Sequence, residues 1–357
     1  MSANLDVSII CACRNEATHI EEFVSSILSQ EMGRLSWEVV IADGMSDDGT
    51  REILDKVSKK FGLDSRHIRV LANRGRIVST GLNAAIAASR GRIILRFDAH
   101  TTYSPDYCLR CIEAMERTGA TNVGGPARTR AIGLKARAIA AAYHSPFSTG
   151  GARFHDPEFE GYVDTVPYGC WRRETFDEIG MFDETLIRNQ DDEFNLRVLR
   201  AGGTIWQSPS IVSWYSPRPT ISGLFYQYFQ YGFWKVAVVR KHRLPGSWRH
   251  LVPAGFVLAH VLLLLTVAVS AVLGVTFGWF LAGALWLTLT ALYVGALFVA
   301  SLATAKKTGW DTLPYLPGAF SAFHISYGLG FLAALFRLVM KRENKPSPDS
   351  VFARISR

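Results

Sequence analysis

The sequence predicts an α/β protein with a doubly wound, mostly parallel sheet, followed by C-terminal membrane helices. Two observations support this fold class. Over the first hundred residues, short apolar runs alternate with segments in which apolar residues recur at helical spacing. Residues 251–305 contain no Asp, Glu, Lys or Arg, and this length is sufficient for two membrane helices of about 20 residues each. Strands that alternate with helices imply a parallel sheet.

The first hundred residues supply four strands and three helices. We predict strands at 7–13, 37–43, 68–73 and 92–98, and helices at 19–30, 51–60 and 79–89. Polar residues follow the strands, namely Arg14, Asn15, Glu16, Asp43, Asp98 and His100. In an open parallel sheet, ligands bind beyond the carboxyl ends of the strands. These side chains are therefore expected on the ligand-binding edge.

The alternation ends after residue 120, where segments rich in Gly, Pro and aromatic residues favour loops and irregular strands. Long loops on a rigid scaffold usually carry recognition. A further helix is predicted at 191–203, and the stretch GTIWQSPS (203–210) predicts one more strand.

The membrane region is predicted to contain helices at about 251–273 and 277–304 and a third apolar segment at about 313–340. The third segment contains several Pro and Gly residues, and three full crossings would put the basic tail outside, against the positive-inside tendency. A re-entrant or broken segment is therefore expected. The aromatic stretch 222–242 ends in cations, which favours the membrane interface, although an ordinary buried helix fits the same pattern.

The domain boundaries follow from these segments. They are an enzyme domain at 1–217, an amphipathic interface segment at 218–250, a transmembrane region at 251–340 and a basic tail at 341–357. We expect the first domain in the cytoplasm, at a bacterial inner membrane or a plasma membrane, because no basic segment followed by an apolar one begins the chain.

The net charge of +8 lies mostly in the membrane region, where residues 218–357 carry 14 Lys and Arg against 3 Asp and Glu. Basic clusters that flank apolar spans fit anionic lipid headgroups, so membrane lipids are expected partners and nucleic acid is not. Five cysteines suit a reducing compartment. Cys108 and Cys111 have the spacing of a metal or redox pair, but buried packing explains the same spacing on a helix.

Four segments occur in an order typical of one enzyme family. They are VSIICACRNEATHIEEFVSSILSQ (7–30), VVIADGMSDDGTREIL (39–54), RIVSTGLNAAIAASRGRIILRFDAHT (76–101) and CWRRETFDEIGMFDETLIRNQDDEFNLRVLRAGG (170–203). Together they resemble the motifs of family 2 glycosyltransferases, which are inverting enzymes of the GT-A fold. The Asp-Ala-His-Thr and Asn-Gln-Asp-Asp runs and the membrane tail most resemble the succinoglycan type of bacterial exopolysaccharide glycosyltransferase.

The resemblance implies a divalent cation, Mn or Mg, at Asp98 and His100. Neutralising a diphosphate leaving group requires such an ion, and Asp98 offers a hard anionic ligand. Members of the family commonly have Asp-x-Asp here, whereas this chain has Asp98-Ala99-His100, and imidazole suits Mn better than Mg. The alternative is that these residues only cap the next helix.

The resemblance also implies a nucleotide site. Its residues are Cys13, Arg14, Asn15, Glu16, Asp43, Arg76 and Asp98. A carboxylate such as Asp43 accepts hydrogen bonds from ribose hydroxyls or a base N–H. A solvated arginine explains Arg76 equally well, and Asp47 and Asp48 fit a turn and a helix cap better than ligand binding.

The catalytic base implied by the resemblance is Asp191, with Asp192 as the reserve candidate. An acceptor hydroxyl must lose its proton as it attacks the sugar, and a carboxylate is the natural acceptor. Acidic residues at a helix start also favour the macrodipole, which is the alternative. Gln190 stands where relatives have Glu. Acceptor binding is implied for Trp171, Arg172 and Gln190, although a core tryptophan fits Trp171 as well.

The expected function is transfer of a sugar from a nucleoside diphosphate sugar, a UDP-hexose, to a lipid-linked saccharide in exopolysaccharide or cell-envelope glycan synthesis. One alternative is glycosylation of polyprenyl phosphate itself, where an anionic acceptor needs no base. A non-catalytic, nucleotide-sensing membrane scaffold is the other alternative.

Overall fold

A computed structural model describes residues 5–60, 67–243 and 246–340. Within these ranges the strands are β1 (Leu5–Cys13), β2 (Trp37–Asp43), β3 (Ile68–Ala72), β4 (Gly91–Phe97), β5 (Thr101–Tyr103), β6 (Asn122–Gly124), β7 (Gly161–Tyr162), β8 (Cys170–Arg172), β9 (Ile205–Gln207) and β10 (Ser213–Tyr215). The helices are α1 (Ile20–Leu28), α2 (Thr50–Lys60), α3 (Val78–Ala88), α4 (Tyr107–Thr118), α5 (Leu134–Tyr143), α6 (Pro146–Thr149), α7 (Glu174–Ile179), α8 (Gln190–Arg200), α9 (Ile221–His242), α10 (Val252–Val272), α11 (Thr276–Thr308) and α12 (Leu316–Val339). Short 3-10 turns lie at Arg153–His155, Trp248–His250 and Trp310–Tyr315.

Eight strands form one sheet in the order β3-β2-β1-β4-β8-β6-β9-β7. β1 is parallel to both β2 and β4, and β2 is parallel to β3. β8 runs antiparallel to β4 and β6, and β5 pairs with β10 in a separate ribbon. The predicted doubly wound, mostly parallel sheet is confirmed. The order of the strands changes direction at β1, because β2 and β3 lie on one side of it and β4 lies on the other. Sheets of this kind bind ligands at such a switch point.

The sheet is buried on both faces because its central strands are apolar almost throughout. On one face, Ile9 of β1 packs with Phe23 and Ile27 of α1. On the other face, Ile10 packs with Leu82 of α3. Each fully buried side chain of this size contributes about 1.5–3 kcal/mol to folding. The helical spacing in the sequence therefore identified the faces that cover the sheet.

A buried carboxylate ties the edge of the sheet opposite the carboxyl ends. Glu38 of β2 accepts hydrogen bonds from Ser8 Oγ at 2.8 Å and from Arg69 Nη2 at 2.8 Å. Arg90 donates to the same carboxylate through its backbone and its guanidinium. Burial raises the pKa of Glu38, but these hydrogen bonds and charges lower it more, so the net pKa lies below the ordinary value. The network joins β1, β2, β3 and the start of β4.

The described residues divide into two compact units. The first contains 5–60, 67–130 and 152–216, and the second contains 131–151, 217–243 and 246–340. Residues 131–151 therefore belong with the C-terminal helices, whereas the sequence-based division had left them in the 1–217 domain. They form α5 and α6, although loops were predicted for this region. The predicted basic tail at 341–357 lies outside the described residues.

Helix α5 is held in the second unit by ionic and aromatic contacts. The Arg137 guanidinium lies 2.7 Å from a carboxylate oxygen of Asp311 and donates to the backbone oxygen of Thr308. Lys135 lies over the ring of Tyr315, 6.0 Å from its centre. These contacts join two segments that are distant in sequence, so the local pattern gives no sign of them.

Three helical segments in the second unit are long and apolar enough to cross a membrane: Trp248–Val272, Thr276–Thr308 and Trp310–Val339. The first two are mostly exposed, while half of the third is buried, chiefly against α9. The third segment forms one unbroken helix of about 36 Å from Leu316 to Val339. The expectation of a broken segment is therefore wrong, because its prolines lie before the helix or in its first turn, where proline is tolerated. The re-entrant alternative stays a prediction.

The sequence places His324 of α12 in an apolar segment, where a contact with a lipid diphosphate and, more commonly, a hydrogen-bonded structural role are the alternatives. Its Nε2 lies 2.8 Å from the backbone oxygen of Phe147, and its Nδ1 lies 3.1 Å from the hydroxyl of Tyr293. Both ring nitrogens therefore have partners within the protein. This arrangement supports a structural histidine, which was the alternative favoured from the sequence.

Candidate active site

The carboxyl ends of β1, β2 and β4 meet at one edge of the sheet. Cys13 pairs with Asp43, and Cys11 pairs with Phe97, so the segments that follow these three strands start side by side. The backbone N–H of Asn73 donates to the backbone oxygen of Asp43 at 2.7 Å, which brings the loop after β3 to the same edge. The predicted convergence of polar loops on this edge is confirmed.

The loop after β1 is locked to the loop after β2. Asn15 has a positive φ of 56°, which asparagine tolerates better than most residues. Its side-chain amide donates to Asp47 Oδ1 at 2.7 Å, and its side-chain oxygen accepts from the Asp47 backbone N–H at 3.0 Å. The Glu16 backbone N–H donates to Thr50 Oγ1 at 2.8 Å. Asn15 therefore shapes the loop with its side chain, and the adjacent groups are left to face a ligand.

Asp48 lies two residues before α2, the helix that follows this loop. It accepts hydrogen bonds from the backbone N–H and the hydroxyl of Thr50, at 3.1 and 2.6 Å, and from the backbone N–H of Ala17. Burial raises the pKa of Asp48, but these hydrogen bonds lower it to below the ordinary value. The interpretation of Asp47 and Asp48 as a turn and a helix cap is confirmed.

The Asp43 side chain is only 2% exposed. It accepts from the Ser46 hydroxyl at 2.5 Å, and Arg51 Nη1 lies 4.0 Å away. Because Ser46 also accepts from the Asn15 backbone N–H at 2.8 Å, one chain of hydrogen bonds fixes both loops around this carboxylate. The nucleotide-binding role of Asp43 stays a prediction.

Cys13, Arg14 and Arg76 differ in what they offer a nucleotide. The Cys13 thiol is buried in the core, and burial together with nearby carboxylates raises its pKa to about 12. A side-chain contact from Cys13 is therefore contradicted, and only its backbone reaches the edge. The Arg14 side chain packs over Gly44, where an added Cβ would lie 2.9 Å from Arg14 Cβ. Arg76 is exposed in the loop after β3, with φ of 60°.

Asp98 follows β4 directly and is gripped by an arginine of that strand. Arg96 donates through Nε and Nη2 to the two Asp98 carboxylate oxygens, each at 3.0 Å. The backbone N–H of Asp98 donates to the Tyr103 hydroxyl at 2.7 Å. About a fifth of the Asp98 side chain remains exposed, and each carboxylate oxygen keeps a further lone pair. Asp98 is therefore oriented and still open to a cation.

The donor set near Asp98 fits a divalent cation that a diphosphate completes. The His100 side chain is 43% exposed, and its Nδ1 lies 3.7 Å from Glu16 Oε1. Within the described ranges, no three His, Cys, Asp or Glu side chains cluster closely enough to form a metal site alone. Cations of this kind commonly take one or two protein ligands and fill the remaining positions with phosphate oxygens and water. The residues present suit that arrangement, with Asp98 and His100 as the protein ligands.

Helix α8 brings a second carboxylate to this site. It begins after Asn189, whose φ of 62° turns the chain sharply into the first helical residue. Asp191 is 42% exposed, and its Oδ2 lies 3.6 Å from Arg96 Nη1. Glu193 is buried and paired with Arg197 at 3.0 Å, so it stabilises the helix. Asp191 therefore faces Arg96, the same arginine that holds Asp98.

Gln190 is 6% exposed, and its buried side-chain oxygen has no hydrogen-bond partner among the described residues. A buried amide oxygen without a partner costs free energy, on the order of 1–3 kcal/mol. Such an oxygen beside the candidate base suggests a group that accepts a hydrogen bond from a ligand.

The predicted acceptor-binding role of Trp171 is contradicted by its burial. The indole is 2% exposed and packs edge-on against Phe176, Phe182 and Phe194. A ring enclosed in this way has no face for a sugar, so the alternative of a core tryptophan is the correct one.

Arg172 is also not at the site. In the β4–β8 pairing it lies opposite Ile93, four positions before Phe97 at the carboxyl end of β4. Its guanidinium reaches the backbone oxygens of Ala120 and Met115, both at 3.5 Å. Antiparallel pairing moved this residue away from the edge, and the sequence pattern did not reveal that direction.

Arg96 and Tyr168 were missed by the sequence interpretation. The signal for Arg96 was a cation between apolar residues in the stretch IILRF (93–97). Arg96 lies two residues before Asp98, and side chains two positions apart point to the same face of a strand. The Tyr168 hydroxyl lies 2.7 Å from Thr101 Oγ1, beside the Asp98 loop, and only the tertiary fold brings it there.

Comparisons with known proteins agree with this geometry. Residues 8–179 match the model of the family described as Glycosyl transferase family 2. The chain is 33% identical over 247 residues to the succinoglycan biosynthesis protein ExoA of Rhizobium meliloti (strain 1021), covering 69% of this chain and 73% of that protein. It is 25% identical to a dolichyl N-acetyl-alpha-D-glucosaminyl phosphate 3-beta-D-2,3-diacetamido-2,3-dideoxy-beta-D-glucuronosyltransferase of Methanococcus voltae, over 93% of this chain and 97% of that one.

One solved structure is similar over nearly the whole chain. It is the mannosyltransferase PcManGT from Pyrobaculum calidifontis in complex with GDP-Man and Mn2+, with a TM-score of 0.58 and 17% identity. The similarity covers 96% of this chain and 89% of that one. At this identity the similarity establishes the fold, which is of the GT-A type with apolar helices after it.

Proposed function

The chain belongs to glycosyl transferase family 2, and from this we propose that it transfers a hexose from a UDP-hexose to a lipid-linked saccharide. That it is a glycosyltransferase of polysaccharide biosynthesis follows from its relatives. The observation that carries the finer proposal is the pair of carboxylates, Asp98 and Asp191, that face a shared arginine at the carboxyl edge of the sheet.

The donor nucleotide binds against the loops after β1, β2 and β3. Asp43 is held by Ser46 and accepts hydrogen bonds from the base or ribose. Arg14, Glu16 and the backbone of Asn15 line the nucleotide, because the Asn15 side chain is bonded to Asp47. Arg76 faces the diphosphate, because its exposed guanidinium suits phosphate oxygens. Uridine is preferred in this proposal.

Asp98 and His100 hold Mn or Mg at the donor diphosphate. When bound, the cation neutralises the charge that develops on the leaving diphosphate. Asp98 is oriented for this role by the Arg96 fork and by its backbone bond to Tyr103. The Mn-bound structural neighbour has the same fold, which supports the choice of metal only by analogy.

Asp191 is the general base. The acceptor hydroxyl oxygen attacks the anomeric carbon from the face opposite the diphosphate, and its proton passes to the Asp191 carboxylate. A bond forms between the acceptor oxygen and the anomeric carbon as the bond to the diphosphate oxygen breaks, so UDP leaves and the configuration inverts. Gln190 accepts a hydrogen bond from a second acceptor hydroxyl, which satisfies its buried oxygen.

The acceptor is a saccharide on a polyprenyl lipid, at the cytoplasmic face of an inner or plasma membrane. The Methanococcus voltae relative, which matches nearly the whole chain, is named for a dolichyl-linked sugar phosphate acceptor. The three apolar helices of the second unit support a membrane substrate. Glycosylation of polyprenyl phosphate is the competing reaction, and it differs in needing no base.

The test compares Asp191→Asn with its neighbour Asp192→Asn. Asp191→Asn keeps the size of the side chain but accepts no proton, so turnover is expected to fall by about 10²–10⁴-fold with donor binding nearly unchanged. Asp192→Asn is the matched control and should be milder. UDP release and glycolipid formation are measured with a saccharide-lipid acceptor and with polyprenyl phosphate.

A collapse in Asp192→Asn alone would move the base to Asp192. Normal turnover in both variants would favour polyprenyl phosphate as the acceptor, since that oxygen is already deprotonated. Donor binding without UDP release in the presence of either acceptor would favour the non-catalytic scaffold.

A further inference from the structure

Arg96 is a charged residue inside an apolar strand. Its residue exposure is 5%, and it lies one position before the end of β4. Arginine is almost never buried to this extent unless it is paired. Its neighbours in the strand, Leu95 and Phe97, are fully buried and pack with the core. The fold therefore accommodates a cation at a position where packing alone favours an apolar side chain.

The guanidinium contacts two carboxylates from distant parts of the chain. Nε and Nη2 bind both oxygens of Asp98 at 3.0 Å, as a fork that matches the carboxylate geometry. The third nitrogen, Nη1, lies 3.6 Å from Asp191 Oδ2; it is buried and makes no hydrogen bond within the part of the chain that the structure describes. Two nitrogens of Arg96 therefore bind Asp98, the proposed metal ligand, and the third faces Asp191, the proposed base.

The charges explain why a cation is needed between these groups. Two carboxylates that face one small site repel each other, and a shared cation offsets that repulsion. An arginine guanidinium stays protonated in proteins, and this one lies 3.0 Å from an Asp98 oxygen and 3.6 Å from an Asp191 oxygen. A buried cation with no partner would be strongly destabilising, so its position is tied to both carboxylates.

We propose that Arg96 is a positioning residue that holds Asp98 toward the donor diphosphate and Asp191 toward the acceptor hydroxyl at a set separation. The proposal rests on the proposed role of Asp191 as the base. Arg96 itself touches neither sugar. Its effect on turnover passes through Asp191, and its effect on donor affinity passes through Asp98.

The expected kinetic effects separate along these two contacts. Displacing a reacting group by about 1 Å costs on the order of 10²-fold in rate. Arg96→Met removes the charge and the fork, so we expect kcat at saturating donor to fall by about 10²-fold and the donor KM to rise. Arg96→Lys keeps the charge but not the planar fork, so it should restore part of kcat.

The experiment is a double-mutant cycle with Asp191. The kcat and donor KM are measured for Arg96→Met, Asp191→Asn and the double variant in the full-length protein, with single-turnover assays for the slow variants. If Arg96 acts on turnover through Asp191, the effect of Arg96→Met on kcat should shrink to less than about threefold once Asp191 is Asn. The rise in donor KM should persist, because it passes through Asp98.

Arg69→Met is the matched structural control. Arg69 is another strand arginine paired to a buried carboxylate, but its partner Glu38 lies at the opposite edge of the sheet. Its substitution should lower the unfolding midpoint and leave the kcat of the folded enzyme within about threefold. If Arg96→Met fails to fold, Arg96→Lys is carried through the same cycle with the same comparison.

An equal loss of kcat from the Arg96 variant in both Asp191 backgrounds would overturn the proposal. So would a loss of kcat in Arg69→Met as large as that in Arg96→Met. Failure of the base assignment is distinguishable, because it appears as near-normal turnover in the Asp191→Asn single variant.

Discussion

At the scale of single residues, the site depends on side chains that face both the protein and a ligand. Asp98 is held by Arg96 on one side and leaves about a fifth of its surface open on the other. Asn15 and Asp48 use their polar atoms to fix loops, so their side chains are structural. The same residue types thus have different roles according to which partners the fold supplies.

The residue-scale prediction concerns Asp98. Asp98→Asn keeps the size of the side chain and can accept one of the two hydrogen bonds from Arg96, but it removes the negative charge that a divalent cation needs. We expect metal-dependent UDP affinity to fall at least about tenfold, equivalent to about 1.4 kcal/mol, by calorimetry with and without Mn. Asp106→Asn is the control, because the Asp106 carboxylate is also paired with an arginine: Arg110 Nε lies 3.0 Å from Asp106 Oδ2. Asp106 is not one of the proposed ligand-binding residues. Unchanged, still metal-dependent UDP binding in Asp98→Asn would exclude Asp98 as a ligand.

At the scale of elements, the second unit is assembled through close approach of helix backbones. A Cβ added at Gly330 of α12 would lie 2.0 Å from the Phe229 oxygen of α9, and one at Gly232 of α9 would lie 2.1 Å from the Tyr327 oxygen. Small residues let membrane helices approach closely. These glycines therefore allow the backbones of α9 and α12 to pack in direct contact.

The element-scale prediction tests this contact. Gly330→Ala forces the two helices apart, and overpacking of this kind costs about 1–3 kcal/mol. We expect a lower thermal unfolding midpoint in detergent. Gly255→Ala in α10 is the matched control, because nothing lies within 4 Å of its added Cβ. Alanine favours a helix interior over glycine by about 0.5–1 kcal/mol, so this variant should be neutral or slightly more stable. Equal midpoints for the two variants would contradict the proposed close packing.

At the scale of the whole molecule, charge is distributed unevenly along the chain. The basic surplus lies in residues 218–357, with 14 Lys and Arg against 3 Asp and Glu. Lys306 and Lys307 end α11, and Arg249 precedes α10, so basic residues flank the same end of this helix pair. The positive-inside tendency favours the cytoplasmic side for that end.

The whole-molecule prediction concerns this orientation. All five native cysteines are buried, so introduced cysteines can be labelled over a low background. Lys306→Cys should be protected from a membrane-impermeant maleimide added outside spheroplasts, because we expect its end of α11 on the cytoplasmic side. Leu273→Cys, in the exposed turn between α10 and α11, should react and is the matched control. Labelling of Lys306→Cys from outside, with Leu273→Cys protected, would reverse the orientation.

The sequence by itself determined the α/β class, the order of the first strands and helices, and the apolar spans. These follow from local periodicity, which each segment carries without its neighbours. It also identified Asp98, as a polar residue directly after a strand, and the resemblance to family 2 glycosyltransferases identified Asp191; the roles of both stay predictions. Gln190 was identified with them, but its buried, partnerless oxygen became visible only in the structure.

Only the tertiary structure decided the fate of Trp171 and Arg172, because the antiparallel pairing of β8 and the packing around it bury one and turn the other from the edge. It also assigned residues 131–151 to the second unit, through contacts such as Arg137 with Asp311. The contact between Arg96 and Asp191 was likewise visible only in the tertiary structure. Pairing across long sequence separations has no local signature, since it depends on which faces are buried together when the sheet and helices pack.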